Sequence, residues 1–534
     1  MYLVCAEKMR QMDMATIQSF GIPGRVLMEN AGRGATQWLL ERFPDALSMR
    51  IAVMAGRGNN GGDGFVMGRY LAGKGADVTV YLLANEDRVS GDAAANLALL
   101  HSVGVPVVSV PDEESFAKNK VSISHRQLII DAILGTGLRS DVKGLYEKAI
   151  RFINSLGRPV FSVDIPSGVD SDTGQPRGVC VKAAATATFG FAKVGHVLFP
   201  GASFTGDLRI IDIGIPDFIA NEVAPKSRLL TQSMVSGYIR PRQPDMHKGR
   251  AGHLLVVGCS QGKTGAGVMA SVAAMRTGAG LVTLAVPAGV NGSVESMAPE
   301  VMTLPAGKPG STRFDETAEE HVLANLEGKK AVAIGPGMGT GPAAGKLLRT
   351  LIENSRIPVI IDADGLNCLA RDHELASRLN DRIVLTPHPG EMSRLCKMAV
   401  DRIQADRAGC AKNFATEHKA HLVLKGAGTV VAHPDGNVFI NRTGNPGMAS
   451  GGMGDVLTGV IAGLVCQGYP CDIACRLGVF LHGRAADIVG MKKGEIGILA
   501  SEVAAALPEA ISTLSGNNHD GDACRFRDPY EVCL

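Results

Sequence analysis

The sequence predicts an α/β protein of two parallel-sheet domains, and three observations carry that expectation. Short apolar strand patterns alternate with amphipathic helix patterns, as they do where a parallel sheet is covered on both faces. Polar, glycine-bearing motifs recur just after those strands, at the sheet ends where such folds bind ligands. The alternation degrades from Ile215 to Pro244, among Pro216, Pro225, Pro241 and Pro244, and then resumes. At 534 residues the chain is too long for one core, since domains run to roughly 100–200 residues. The expected boundaries are 1–220, a linker at 221–244 with the junction near Pro225, 245–512, and an irregular tail at 513–534.

In the first domain, helix-period apolar positions occupy residues 7–18 (Met9, Met12, Ile17) and 25–41 (Val26, Leu27, Trp38, Leu39). Strands are expected at IAVMA (51–55), VTVYLLA (78–84), LIIDAIL (128–134), PVFSVDI (159–165), TATFGFA (186–192) and LRIIDIG (208–214). Helices are expected after Gly61, near 92–102 and near 144–155. Three polar motifs fall at strand ends. GRGNNGGDGFVMGR (Gly56–Arg69) contains a GxGxxG, weak evidence for a dinucleotide by itself, but Asn59, Asn60 and Asp63 add oxygens that a plain cofactor turn does not need. A polar loop capped by Asn and Asp is the alternative. DAILGTGLRSDVKG (Asp131–Gly144) and VDIPSGVDSDTG (Val163–Gly174) each set an aspartate at a strand end before a tight turn. Asn60, Asp131 and Ser167 are hard oxygen ligands suited to an alkali or alkaline-earth cation, not to zinc. Asp164, ending an apolar strand, has a partly desolvated carboxylate, which favours proton transfer over turn capping.

GRGNNGGDG, DAxLGTG and VDIPSG, in this order and spacing, resemble the N-terminal epimerase domain of the NAD(P)H-hydrate repair enzymes, over about residues 1–220. The resemblance implies a Rossmann-like three-layer sandwich. It also implies that Asn59, Asn60, Gly61, Gly62 and Asp63, with Gly135, Thr136, Gly137, Leu138, Arg139, Ser140 and Asp141, line hydrated NADH or NADPH. Asp164 contacts that substrate, and Asn60, Asp131 and Ser167 hold K+. Lys193, in FGFAKVG, matches a lysine near the same pocket and joins Asp164 as a catalytic candidate. The C6 hydroxyl of the hydrate sits on a carbon bonded to the ring nitrogen, so its configuration inverts through a ring-opened or a dehydrated intermediate. The sequence does not choose between them.

The second domain opens with KGRAGHLLVVGCSQGKTGAG (248–267), whose Gly258-x-x-x-Gly262-Lys263-Thr264 is one residue short of a P-loop and is not read as one. A helix runs through Met275, and strands follow in LVTLAV (281–286), AVAIGPGMG (331–339), PVIIDADGLN (358–367) and RIVLTPHPGE (382–391). HLVLKG (421–426), GTVVAH (428–433) and NVFIN (437–441) lead into GNPGMASGGMGDVLTG (444–459). Glycines ahead of an apolar helix let backbone N–H groups close on an anion at the positive end of the helix dipole. Asp455 in that place suits removal of a proton from a hydroxyl beside a phosphate. A flexible turn before a buried helix is the alternative.

GPGMG, IDADGLN, TPHPGE, LKGAGT and GNPGMASGGMGD, in order, resemble the ribokinase-like α/β fold and, more closely, the ADP-dependent NAD(P)H-hydrate dehydratases, over about residues 228–510. TPHPGE separates that family from sugar kinases. The resemblance implies that Ala266, Gly337 and His388 contact the hydrated nicotinamide nucleotide. Lys425, Gly426, Ala427, Gly428 and Thr429 contact the adenine nucleotide, Gly454 contacts it through its backbone, and Asp455 touches the substrate hydroxyl. Hydroxide leaves poorly, so phosphorylation by ADP turns elimination into loss of phosphate. The Gly451–Gly454 amides and a bound Mg2+ spread the charge of the moving phosphoryl group. From chemistry alone, His388 either orients the nicotinamide or caps its loop, and Glu391 is a helix-cap candidate. Together the halves imply a bifunctional enzyme that interconverts the R and S hydrates and returns the S form to NAD(P)H. The alternative is a ribokinase-like vitamin kinase with an N-terminal ligand-binding module, which needs neither TPHPGE nor the oxygen-rich first motif.

Composition narrows the partners. The 54 basic residues nearly balance 52 acidic ones and form no tract, which argues against nucleic acid. No apolar run reaches the ~18 residues of a membrane span, and no signal-peptide core follows Met1. Eleven cysteines without a CxxC pair fit a reducing, cytoplasmic setting. Cys471 and Cys475 read as buried side chains on one helix. A homo-oligomer is expected. After about Ala510 the periodicity is lost, and Cys524 and Cys533 carry no functional expectation.

Overall fold

A computed structural model describes residues 1–515, so the expectation for the tail beyond Ser515, with Cys524 and Cys533, lies outside the described residues. The chain forms two compact units, one of Tyr2–Ser227 and one beginning at Arg228. Among the described residues no helix is long and apolar enough to cross a membrane.

In the first unit, seven parallel strands lie in the order Val107–Ser109, Asp77–Leu82, Arg50–Ala55, Leu128–Ala132, Val160–Val163, Ala185–Phe189 and Asp207–Ile211. The chain builds outward from Arg50–Ala55 to one edge, then returns to lay Leu128–Ala132 on the other side. That reversal opens a crevice at the carboxyl ends of these two strands. Two glycines let the backbone close around it. A Cβ on Gly56 would lie 2.1 Å from the Ile133 carbonyl oxygen, and one on Gly61 would lie 1.9 Å from the Gly56 oxygen. The GxGxxG therefore brings helix Asn59–Gly73 onto the sheet. The helix expected at 7–18 is α-helical over Ala6–Met14 and π-helical over Ala15–Phe20, ending at Gly21 with φ 95°. Strand Val107–Ser109 and helix Glu113–Ser124 escaped the sequence pattern, because a three-residue, half-buried strand leaves little periodicity to read.

In the second unit the order is Met302–Ala306, Leu281–Pro287, His253–Val257, Ala331–Ile334, Val359–Ile361, Ile383–Leu385, His421–Leu424, Thr429–Ala432 and Val438–Asn441. The first seven are parallel and the last two join antiparallel. The order reverses between His253–Val257 and Ala331–Ile334. Neighbouring strand ends thus deliver Gly335–Gly339, Asp362–Asp364, Thr386–His388 and Lys425 to one side. Helix Met453–Cys466 is buried along nearly its whole length and crosses Thr264–Thr277. A Cβ on Gly459 would sit 2.0 Å from the Ala270 oxygen, so the crossing depends on glycine there. Cys471 and Cys475 are buried on helix Cys471–Lys493. The last helix, Ala500–Leu514, runs two residues into the segment expected to be irregular.

Candidate active sites

A cavity of about 860 Å³ occupies the crevice of the first unit. Its wall contains Asn59, Asn60, Asp63, Asp164, Lys193 and the Gly135–Ser140 turn. At its base Lys193, 1% exposed, donates from Nζ to Asp164 Oδ1 at 2.5 Å, Thr188 Oγ1 at 2.8 Å and the Phe189 oxygen at 3.2 Å. An ammonium has three protons, and all three are used. Burial opposes ionisation of Asp164, but the Lys193 charge and hydrogen bond hold its carboxyl below the usual range. Asp164 adopts φ 64°, a left-handed conformation that a non-glycine residue keeps where its surroundings enforce it. Its N–H donates to the Ala187 oxygen at 2.7 Å, and its carbonyl accepts from His196 Nε2 at 3.0 Å. His196 Nδ1 accepts the Lys193 amide at 3.0 Å, which places the ring proton on Nε2. Burial drops His196 to about 3, so it is a neutral clamp. Asp63 is the opposite case. Burial, with Asp164 and Asp13 nearby, lifts it well above the carboxylate range.

The fully buried Asp131 accepts Ser162 Oγ at 2.8 Å, the Ser167 amide at 2.9 Å and Ser167 Oγ at 2.6 Å. The Ser167 hydroxyl also accepts the Leu134 amide at 2.8 Å. Both polar atoms of the Asn60 side chain are buried without a hydrogen-bond partner, next to Gly135. An unsatisfied buried polar group costs about 1–3 kcal/mol. A hard cation would take up that oxygen, and Asp131 and Ser167 offer oxygen donors of the same kind. Gly61 packs against the Gly56 carbonyl and Gly62 against Met28 and Ala93, so both glycines also let helix and sheet approach closely. Asp141 lies beside Gly178.

The second unit gathers its charges around Lys425. The Lys425 Nζ donates to Asp362 Oδ1 at 2.7 Å and lies 3.8 Å from Glu391 Oε2. Thr458 donates to Asp362 Oδ2 at 2.7 Å from helix Met453–Cys466. Burial works against the Lys425 charge, but Asp362 and Glu391 outweigh it and raise the group. Asp455 lies in the first turn of that helix, after Gly452 with φ 88°. Burial and the charge of Asp362 lift its carboxyl to about 6, against the pull of Lys425. Among the described residues no hydrogen bond or ion pair reaches the Asp455 side chain, and it stands where the orphan N–H groups of the helix begin. Lys425 Nζ is 3.1 Å from where a Cβ on Gly454 would be, so that residue is free of side chain at the centre of the charge cluster.

The remaining expected residues fall around this centre. Gly337 packs on Lys263 and Ala266, and its carbonyl accepts Ser260 Oγ at 2.7 Å. Lys263, half exposed, pairs with Asp364 at 3.1 Å, and Asp364 also accepts the Gly339 amide at 2.9 Å. His388 proves to be a cap. Its Nδ1 accepts the Gly390 and Glu391 amides at 3.0 and 3.3 Å, while Glu391 accepts the His388 amide at 2.9 Å. Its Nε2 lies 3.3 Å from Glu391 Oε1, and its side chain stays 51% exposed. Burial lifts Glu391 to about 7. The Gly426–Thr429 loop is held from behind by the buried Arg407, which donates to the carbonyls of Leu424 and Lys425 at 3.2 Å and of Ala427 at 3.0 Å. Asp362, Thr458, Arg407 and, in the first unit, Asp13 were not anticipated as site residues. Asp362 had a signal, as the first carboxylate after a buried strand in IDADGLN.

Residues 254–509 match the family described as NAD(P)H-hydrate dehydratase, and residues 24–195 match the one described as YjeF-related protein N-terminus. The chain is 41% identical over 515 residues to the bifunctional NAD(P)H-hydrate repair enzyme of Moorella thermoacetica, with 96% of this chain and 97% of that one covered. It is 36% identical over 519 residues to the enzyme of the same description from Escherichia coli, with 96% and 95% covered. Among solved structures, an ADP/ATP-dependent NAD(P)H-hydrate dehydratase from Bacillus subtilis, co-crystallised with ATP and Mg2+, aligns at 30% identity and a TM-score of 0.47. That alignment covers 54% of this chain and 98% of that one.

Proposed function

This chain belongs to the family of bifunctional NAD(P)H-hydrate repair enzymes, and from that premise we propose how its two sites divide the work. The first unit interconverts the R and S hydrates of NADH and NADPH. The second dehydrates the S form, with ADP as phosphoryl donor. The observation that carries the division is a contrast of two carboxylates. Asp164 is ionised and locked to a fully satisfied ammonium in a cavity of dinucleotide size, whereas Asp455 is unpartnered at a helix N-terminus built for phosphate.

In the second site Asp455 accepts the C6 hydroxyl proton as that oxygen attacks the terminal phosphoryl group of ADP, and AMP leaves. The Gly451–Gly454 backbone amides meet the developing charge. Lys425 stays cationic beside Gly454, and Thr458 and Asp362 aim it. Phosphate then departs from C6 with the C5 proton, restoring the ring double bond. The carboxylates of Asp362, Asp364 and Asp455 outnumber the ammonium groups of Lys425 and Lys263 beside them, a surplus that fits Mg2+. Asp364 would hold that ion, which supplies charge neutralisation at the phosphates when bound. The Gly426–Thr429 loop, stiffened by Arg407, receives the adenine nucleotide. His388 and Gly337 border the nicotinamide.

In the first site Asn60, Asp131 and Ser167 would hold K+, which supplies positive charge next to the substrate. The vitamin-kinase reading is not favoured, because the relatives that match nearly the whole chain are bifunctional repair enzymes. The test is to give mixed R and S hydrate to the protein with ADP or ATP in turn and follow the absorbance of the restored dihydronicotinamide. Complete conversion of both epimers with ADP is the expected result. Conversion of neither would remove the proposal.

A further inference from the structure

We propose that Asp13 is a catalytic residue of the epimerase site, the proton donor that works opposite Asp164. The proposal rests on the assignment of epimerisation to the first unit.

Ala6, Met9, Arg10, Asp13 and Ile17 all border the cavity, and their spacing places them on one helical face. That face is otherwise apolar or basic, and Asp13 is its one carboxylate. Among the described residues no hydrogen bond or ion pair reaches the Asp13 side chain. A half-buried carboxyl without a partner, turned to a substrate-sized cavity, serves neither packing nor capping.

The groups facing it are Lys193, Asp164 and Asp63. Arg57 and Arg139 stand farther round the wall. Burial lifts Asp13 to about 6, with Lys193 drawing it down and Asp164 pushing it up. Asp164 is held low by Lys193, so one cavity contains an ionised carboxylate and a carboxyl that keeps its proton up to about pH 6. Groups whose surroundings push their acidities apart in this way are matched as base and acid.

The chemistry needs such a pair. C6 of the hydrate is a hemiaminal carbon. Asp164 takes the proton of the C6 hydroxyl, the C6–oxygen bond becomes a carbonyl, and the C6–N1 bond breaks with its electron pair going to N1. Asp13 protonates N1, leaving an open-chain aldehyde. Rotation about C5–C6 turns the other carbonyl face to N1. Ring closure reverses the transfers: N1 attacks C6, its proton returns to Asp13, and the carbonyl oxygen takes its proton back from Asp164. No atom is gained or lost, and both carboxyls end as they began.

The experiment is epimerisation of pure R hydrate, read by separating the two epimers, for wild type, Asp13→Asn and Asp13→Glu across pH 5–9. Wild type is expected to slow as pH rises through about 6, where Asp13 loses its proton. Asp13→Asn should lower kcat by about 100- to 10,000-fold with KM nearly unchanged. Its remaining rate should lack the limb near 6, and Asp13→Glu should restore part of the rate. Thermal unfolding of the first unit shows whether the variants are folded, and dehydration of S hydrate with ADP by the same preparations shows that the second unit is intact. A wild-type kcat that does not fall between pH 5 and 8 overturns the proposal, as does an Asp13→Asn change confined to KM or a full rate in that variant. Were Asp13→Asn not to fold, the wild-type limb and the Asp13→Glu rate still decide. Failure of wild type to epimerise at all would count against the parent assignment instead.

Discussion

Replacing Asp455 by asparagine separates catalysis from architecture in the second unit. The substitution keeps size and shape but removes the base. General-base catalysis is worth about 100- to 10,000-fold, so kcat for dehydration of S hydrate with ADP should fall by that factor while KM for both substrates moves little. The same change should stabilise the protein. The fold lifts this carboxyl from 3.8 to about 6, which corresponds to about 3 kcal/mol in favour of the protonated form. Because the folded value lies above the unfolded one, that stability is present below about 4 and is lost as pH rises through about 6. Asparagine carries no such loss. The variant's advantage in Tm over wild type should therefore be absent near pH 4, grow to about pH 6 and then level, with about 3 kcal/mol as the ceiling. Absorbance of the restored dihydronicotinamide gives the rate, and thermal unfolding across pH gives the stability. Retention of the rate within about threefold, well outside the range for a lost general base, would refute the assignment of Asp455. A variant less stable at pH 8 than wild type would refute the electrostatic reasoning.

Other outcomes follow from the same geometry. Asp164→Asn should abolish epimerisation, leave dehydration of S hydrate intact and destabilise the first unit by about 3–5 kcal/mol, since Lys193 is left buried without its counter-charge; activity on each epimer and denaturant unfolding check both. Asn60→Ala should remove the dependence of epimerisation on K+, measured by titrating K+ against a Na+ background, and a K+ response unchanged from wild type would contradict the cation site. Arg407→Met frees three carbonyls behind the nucleotide loop and should raise KM for ADP about tenfold or more, with KM for the hydrate unmoved. Gly459→Ala places a Cβ where the Ala270 carbonyl lies and should cost over about 2 kcal/mol, seen as a lowered Tm with the epimerase rate retained.

Residues announced by their neighbours were legible in the sequence. Asp131, Asp164 and Lys425 each lie at the end of a buried strand, and the glycine run before Asp455 declares a helix N-terminus, so strand period and turn chemistry led to these sheet edges. What stayed hidden depends on approach between distant segments. Asp13 lies on a helix far from Asp164 in the chain, and its local pattern is that of any amphipathic surface helix. Arg407 opens a charged helix and gives no sign that its guanidinium is buried under the Lys425 loop. Asp362, Lys425 and Thr458 belong to three elements whose meeting depends on sheet order. Gly61 and Gly62 carry a demand that the motif alone does not reveal, the close approach of helix to sheet. The split of the first helix at Met14 into π-helical turns had no counterpart in its apolar spacing.

The most direct test of two separate chemistries on one chain is a complementation measurement with pure R hydrate and ADP. Wild type should return all of the R hydrate to NAD(P)H, Asp164→Asn and Asp455→Asn should each return essentially none, and an equimolar mixture of the two variants should recover the complete yield. Full repair of R hydrate by either variant alone, or a mixture that stays inactive while each variant keeps its remaining activity, would contradict the account.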